Sequence, residues 1–133
     1  MATAQTRSFE LPDAESLRSV RRTTLAYFTE AASLLGRPLR PQLVEAVLIV
    51  VSELVGNARR HAPGPCTLRL RADESELDIA VSDTSPRLPR AHAPDLSGVR
   101  GGWGLRVVTE LAGEVRVRPG PGAGKTVCAR LRW

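Results

Sequence analysis

Apolar residues recur along 14–35 at Leu17, Val20, Leu25, Phe28, Ala32 and Leu35, with arginines between them. Steps of three and four gather these side chains on one stripe of a helix. Pro12-Asp13 offers a turn and cap before it, and Gly36 followed by Pro38 stops it. Upstream, the alternating RSFEL of 7–11 predicts an edge strand. Pro41 opens a second helix. Its sequence, PQLVEAVLIVVSELVGNARRHA, is almost wholly apolar from Leu43 to Val55. Val50-Val51 would suit a strand, but about 20 residues without a breaker before Gly56 predict a buried helix instead. Pro63-Gly64-Pro65 ends it.

Period-two alternation then takes over. CTLRLRA (66–72) and LDIAVS (77–82) read as two strands joined by a polar turn at 73–76. Residues 83–100 carry three prolines and make a long loop, a length that is usually functional. Gly101-Gly102 leads into WGLRVVTELAG, a helix of about three turns whose apolar set is Leu105, Val108, Leu111 and Ala112. Residues 114–118 and 125–132 alternate as a closing hairpin. The order β-α-α-β-β-loop-α-β-β predicts an α+β fold. It is a two-layer sandwich with a mixed, mostly antiparallel sheet and about three helices on one face.

Composition narrows the setting. The 133 residues fit one domain, 1–133, and 42% hydrophobic with 25% charged residues is an ordinary globular balance. The longest continuous apolar run, 46–51, is far too short to cross a bilayer, so no membrane segment is expected. The N-terminus shows no secretion signal. Cys66 and Cys128 form neither a disulfide framework nor a metal motif. The default expectation is a cytoplasmic protein. The net charge is +5, and of the 19 basic residues only Lys125 is lysine. The arginines are spread along the whole chain, which speaks against a nucleic-acid stripe.

GPGAGKT (120–126) looks like a phosphate-binding P-loop. That motif needs G-x-x-x-x-G-K-[ST] between a strand and a helix. Here Pro119 stands at the first glycine, and an alternating strand follows Thr126 in place of a helix. The stretch reads as a glycine-rich hairpin turn.

Chemistry gathers elsewhere. Glu53 and Asn57 lie one turn apart on an apolar helix. An amide oxygen suits Mg²⁺, and a carboxylate one turn earlier can hold a water or take a proton. An exposed position on the helix's last turns would account for the pair equally well. Asp83 ends a strand and begins the long loop. It is either an acceptor for a ligand amine or a turn-starting residue. Gly101-Gly102-Trp103-Gly104 precedes a helix, where backbone N–H groups can approach phosphate.

Taken in order, ELVGN on a helix, Asp83 at a strand end, the proline-rich loop and GGWGL resemble the GHKL ATPase superfamily. VVSELVGNARRHA resembles the N-box, VSDTSPRLP the G1 region, GGWGLRVV the G2 region and GKTVCARL the closing strand. More narrowly, the chain looks like stand-alone actinobacterial ATP-binding regulators related to the anti-sigma-factor serine kinases. The resemblance covers nearly the whole chain and implies a Bergerat-type sandwich that binds ATP and Mg²⁺. It implies that Asn57 ligates Mg²⁺ through its side-chain oxygen and that Glu53 is the general base or a water-positioning residue. Asp83 would accept from the adenine amine. Gly102 and Gly104 would bring N–H groups to the phosphates, and Thr126 would support Asp83 and the base-bound water. Ala58, Arg60 and His61 would have contact roles at most. Two departures stand out. Asp83 is followed by Thr84-Ser85-Pro86 where the superfamily has glycines, and Trp103 sits where the subgroup often has arginine.

At this length neither the helix pair of a sensor kinase nor a transducer domain is expected. The implied activity is a protein-serine/threonine kinase that phosphorylates an anti-sigma-factor antagonist in partner switching. Its partners would be that antagonist, a sigma factor, or both, with a homodimer as a further option and neither nucleic acid nor membrane. The alternative is a catalytically weak or silent module of the same fold that regulates by docking a partner.

Overall fold

The computed structural model describes residues 5–62, 64–84, 102–120 and 124–133. The elements are β1 (Gln5–Leu11), α1 (Leu17–Leu35), α2 (Pro41–His61), β2 (Cys66–Ala72), β3 (Glu76–Asp83), α3 (Gly102–Leu111), β4 (Glu114–Pro119) and β5 (Lys125–Arg132). The strands form one sheet in the order β1-β2-β3-β5-β4, and every pairing is antiparallel. Among the described residues the sheet is therefore wholly antiparallel rather than mixed. α1 packs on α2 and β2, α2 on β2, β3 and β5, and α3 on α2 and β4. This is the two-layer α+β sandwich that the element order predicts.

Local chemistry sets the element ends. α1 begins at Ser16, whose hydroxyl accepts from the Ser19 N–H at 3.1 Å, so Pro12-Asp13 is not its cap. Gly36 closes it at φ 65°, a left-handed C-cap that glycine adopts without strain. In the β2–β3 turn, the Asp73 carboxylate accepts from the Ser75 and Glu76 N–H groups at 2.8 and 3.0 Å. Burial alone would raise this carboxyl's pKa, but those N–H groups and Arg71 outweigh burial and hold it low.

The core lies between the helices and one sheet face. It is built on Val20, Phe28, Val47, Val50, Val51, Val55, Leu68, Leu70, Leu77 and Ile79. Two expected core positions are corrected. Leu25 of α1 is exposed, and Thr24, Tyr27 and Ala31 are buried on that helix instead. Leu111 of α3 is also exposed, while Val108 and Ala112 are buried. Burial pushes the Tyr27 phenol up to about 12, so it stays neutral in the core.

By length and composition α2 is apolar enough, over Pro41–Arg60, to cross a membrane. Run length overlooks this because Glu45 and Ser52 interrupt the apolar stretch. In the fold, its Leu43, Val47, Val50, Val51, Leu54, Val55 and Ala58 are buried in the core. Their spacing makes one continuous helical stripe.

Candidate functional site

Glu53 and Asn57 sit beside the buried stripe of α2 rather than in it. Leu54, Val55 and Ala58 are core residues, whereas Glu53, Gly56 and Asn57 are half-buried. Neither Glu53 nor Asn57 has a hydrogen-bond or ion-pair partner among the described residues, and their polar atoms reach the surface. A fully exposed helix end does not describe this arrangement. A carboxylate and an amide are held at the rim of the core with donor and acceptor capacity to spare.

The last turns of α2 lie over one end of the sheet. The Arg59 guanidinium donates to the Pro12 carbonyl at 3.1 Å, and its Nε is buried with no partner among the described residues. Asp13 accepts from the Gly64 N–H at 3.1 Å, so the strand-to-helix connection is fastened to the loop after α2. Burial pushes the Cys66 thiol up, against the nearby Arg59 charge, while the charges of Asp83 and Asp13 add to the rise. Arg59, Cys66 and Asp83 therefore share one electrostatic neighbourhood. Arg59 is a side chain that pattern reading overlooks; its neighbours Ala58 and Arg60 are a core residue and an exposed one.

Asp83 ends β3 on the core-facing side and is only 8% exposed. Its partner is Lys125, the first residue of β5. The ammonium donates to the two carboxylate oxygens at 3.1 and 2.9 Å, and the side chains are 4% and 3% exposed. The β3–β5 register places these residues opposite one another, 42 apart in sequence. Register also corrects the expected position of Thr126. Side chains alternate across a strand, so Thr126 faces the helix-free side. There its hydroxyl meets that of Ser82 at 2.7 Å. Lys125, not Thr126, adjoins the Asp83 carboxylate.

GPGAGKT gains a definite place. Pro119 ends β4, Lys125 begins β5, and the Gly120 N–H donates to the Gly124 carbonyl at 2.9 Å. The hairpin reading holds at both ends of this stretch; 121–123 lie outside the described residues. Gly124 is required by close approach rather than by positive φ, because a Cβ there would run into the Asp83 carbonyl oxygen. We expect Gly124→Ala to destabilise the fold by about 1–3 kcal/mol, the usual cost of overpacking. A lowered urea midpoint with unchanged slope would report it; an unchanged midpoint would show that the strand end shifts freely.

Gly102 and Gly104 form the first turn of α3, which packs on α2. The predicted proline-rich loop, from Ser85 onward, and the side chains of Trp103 and His61 lie outside the described residues. Among the described residues no cluster of three acidic, histidine or cysteine side chains offers a ready-made metal cage. Any cation at Asn57 would depend on further ligands, as Mg²⁺ commonly does.

The opposite sheet face is different in character. A hollow of about 310 Å³ is lined by Arg69, Arg71, Arg116, Arg118 and Arg130, with Asp78, Glu114 and Cys128. Arginines scattered through the sequence thus converge in space. Much of their charge is met locally: Asp78 pairs with Arg71 at 3.2 Å and Arg130 at 2.8 Å, and Glu114 with Arg116 at 2.6 Å.

Residues 12–131 match the family described as the histidine kinase-like ATPase domain. Among solved structures, the chain is similar to one in the crystal structure of the SiaB–SiaC complex from Pseudomonas aeruginosa. The identity is 16% and the TM-score 0.64, over 96% of this chain and 89% of that one. No curated protein matches the sequence significantly. The family match takes in α1, α2, α3, Glu53, Asn57, Asp83 and Lys125, and the sheet and helices have the arrangement of the solved relative; the chain belongs to the histidine kinase-like ATPase domain family.

Proposed function

We propose that this chain is an ATP-binding regulator acting in partner switching, with Asn57 and Glu53 as its phosphate-end residues. The observation that carries this reading is the half-buried Glu53–Asn57 pair on α2, which has no partner among the described residues, with α3 packed alongside and opened by Gly102 and Gly104. The phosphate end fits its ligand: an amide oxygen with no described partner suits Mg²⁺, and glycines at a helix start suit phosphate oxygens. The base end fits less well, since both oxygens of Asp83 are already engaged.

In this role Asn57 would hold Mg²⁺, and Glu53 would accept the proton of an attacking hydroxyl or hold it in line. The γ-phosphoryl group would pass from ATP to that oxygen with ADP as the leaving group, and the protein's task is positioning and charge neutralisation. The acceptor is a serine or threonine on an anti-sigma-factor antagonist, and a sigma factor is a second partner of the same kind. The solved relative was itself crystallised in a complex of two proteins, SiaB and SiaC, which supports a protein partner. The outer side of α1 suits docking because Leu25 and Leu34 are 36% and 59% exposed there.

The second reading, a silent module that regulates by docking alone, is favoured by the Asp83–Lys125 ion pair. Incubation with γ-labelled ATP, Mg²⁺ and antagonist proteins separates the two. Label on an antagonist serine or threonine is expected for the kinase. Binding of ATP and partner without transfer would replace it by the silent module.

A further inference from the structure

We propose that Lys125 plugs the base-recognition position of the pocket, so that this protein does not read the amino group of adenine. The inference rests on the nucleotide-binding reading above and concerns the one part of the site that fits it poorly. An ionised carboxylate only accepts hydrogen bonds. Here both oxygens of Asp83 accept from one ammonium, at 3.1 and 2.9 Å, and the two side chains are 4% and 3% exposed. These bonds are charge-assisted, and such bonds are about twice as strong as neutral ones. The exocyclic amine of adenine is a neutral donor. Each oxygen keeps a second lone pair, but the Asp83 and Lys125 side chains are buried against one another, so an added donor has to crowd or displace the ammonium and leave it less compensated in a dry site.

Three further observations make the plug a built feature. Lys125 is the only lysine among 19 basic residues, and its ammonium is a compact point charge rather than a planar guanidinium fork. Gly124 brings the start of β5 against the Asp83 backbone so closely that a Cβ has no room. Thr126, the neutral hydroxyl beside Lys125, is turned to the other sheet face and meets Ser82. The contact that would leave Asp83 open is thus replaced by one that closes it. A nucleotide held here is held by its phosphates, with little preference among purines.

The test compares ATP with purine riboside triphosphate, which lacks only the 6-amino group, by titration calorimetry with Mg²⁺. For the wild-type protein we expect the two to bind within about twofold of each other. A wild-type preference for ATP of tenfold or more would overturn the proposal. This arm requires no substitution and is independent of folding. In the second arm, Lys125→Thr is expected to bind ATP at least tenfold more tightly than wild type and tenfold more tightly than the analogue. A folded Lys125→Thr protein with wild-type ATP affinity would also overturn it. Failure of the underlying reading looks different: neither nucleotide binds either form, or Asn57→Ala leaves affinity unchanged. A preference for the amino group that disappears with Asn57→Ala would reject the plug and keep the pocket.

Discussion

Asn57→Ala is expected to abolish phosphoryl transfer to an antagonist and to weaken Mg²⁺–nucleotide binding, with the fold intact. The fold survives because Asn57 is half-buried, lies off the core stripe and bonds to no described residue. Alanine also has the higher helix propensity, so α2 should be no less stable. Activity falls because Asn57 is the proposed protein ligand of the cation. Removing one preorganised group at a centre of developing charge costs about 10²–10³ in rate. We expect a loss of at least about 10²-fold in labelled-phosphate transfer, with an unchanged thermal midpoint. Asn57→Asp, which keeps an oxygen ligand, should recover part of it. Glu53→Gln should lower transfer with little effect on nucleotide affinity, because a general base acts on the chemical step. Wild-type binding and turnover by Asn57→Ala would remove α2 from the site.

The second large effect is on stability. Lys125→Met or Asp83→Leu alone should each cost about 3–5 kcal/mol, because either removes the opposite charge that a buried group faces at 2.9 Å. For a domain of this length that is a drop of roughly 10–20 °C in Tm. The double variant Asp83→Leu/Lys125→Met should be far more stable than the sum of the singles predicts. Replacing a buried pair by apolar residues of similar size is often neutral. The coupling is read from the four proteins of the cycle by urea unfolding. Additive losses would show that the two side chains do not depend on each other. This cycle measures the pair as a structural unit, whereas the nucleotide titrations measure whether it closes the base position.

Much of the architecture is legible in the residues themselves. Helix-stopping Gly36, the opening Pro41 and the alternation of 66–72, 77–82 and 125–132 place eight elements close to where they form. The errors lie in which face is covered. Leu25 and Leu111 have the right periodicity for the core and are exposed, whereas Thr24 is buried with its hydroxyl donating to the Val20 carbonyl at 2.8 Å. Periodicity identifies a stripe, but the neighbouring helix decides how wide it is and which edge stays wet. Of the proposed site, Glu53, Asn57 and Asp83 stand out by residue type and position. Arg59 does not, because it reads as one more arginine at a helix end.

GKT shows the division most clearly. By itself the sequence determined that Lys125, Val127, Ala129 and Leu131 share one strand face, as do Leu77, Ile79, Val81 and Asp83, because a strand repeats every two residues. It also determined that an alternating strand, not a helix, directly follows Thr126, which excludes a phosphate loop. Only the tertiary structure decided that these strands are neighbours, that Lys125 stands opposite Asp83, and that both end in the dry layer under the helices. Alternation is local backbone geometry. Strand order and register are settled by which apolar faces can be buried together, a property of the whole core.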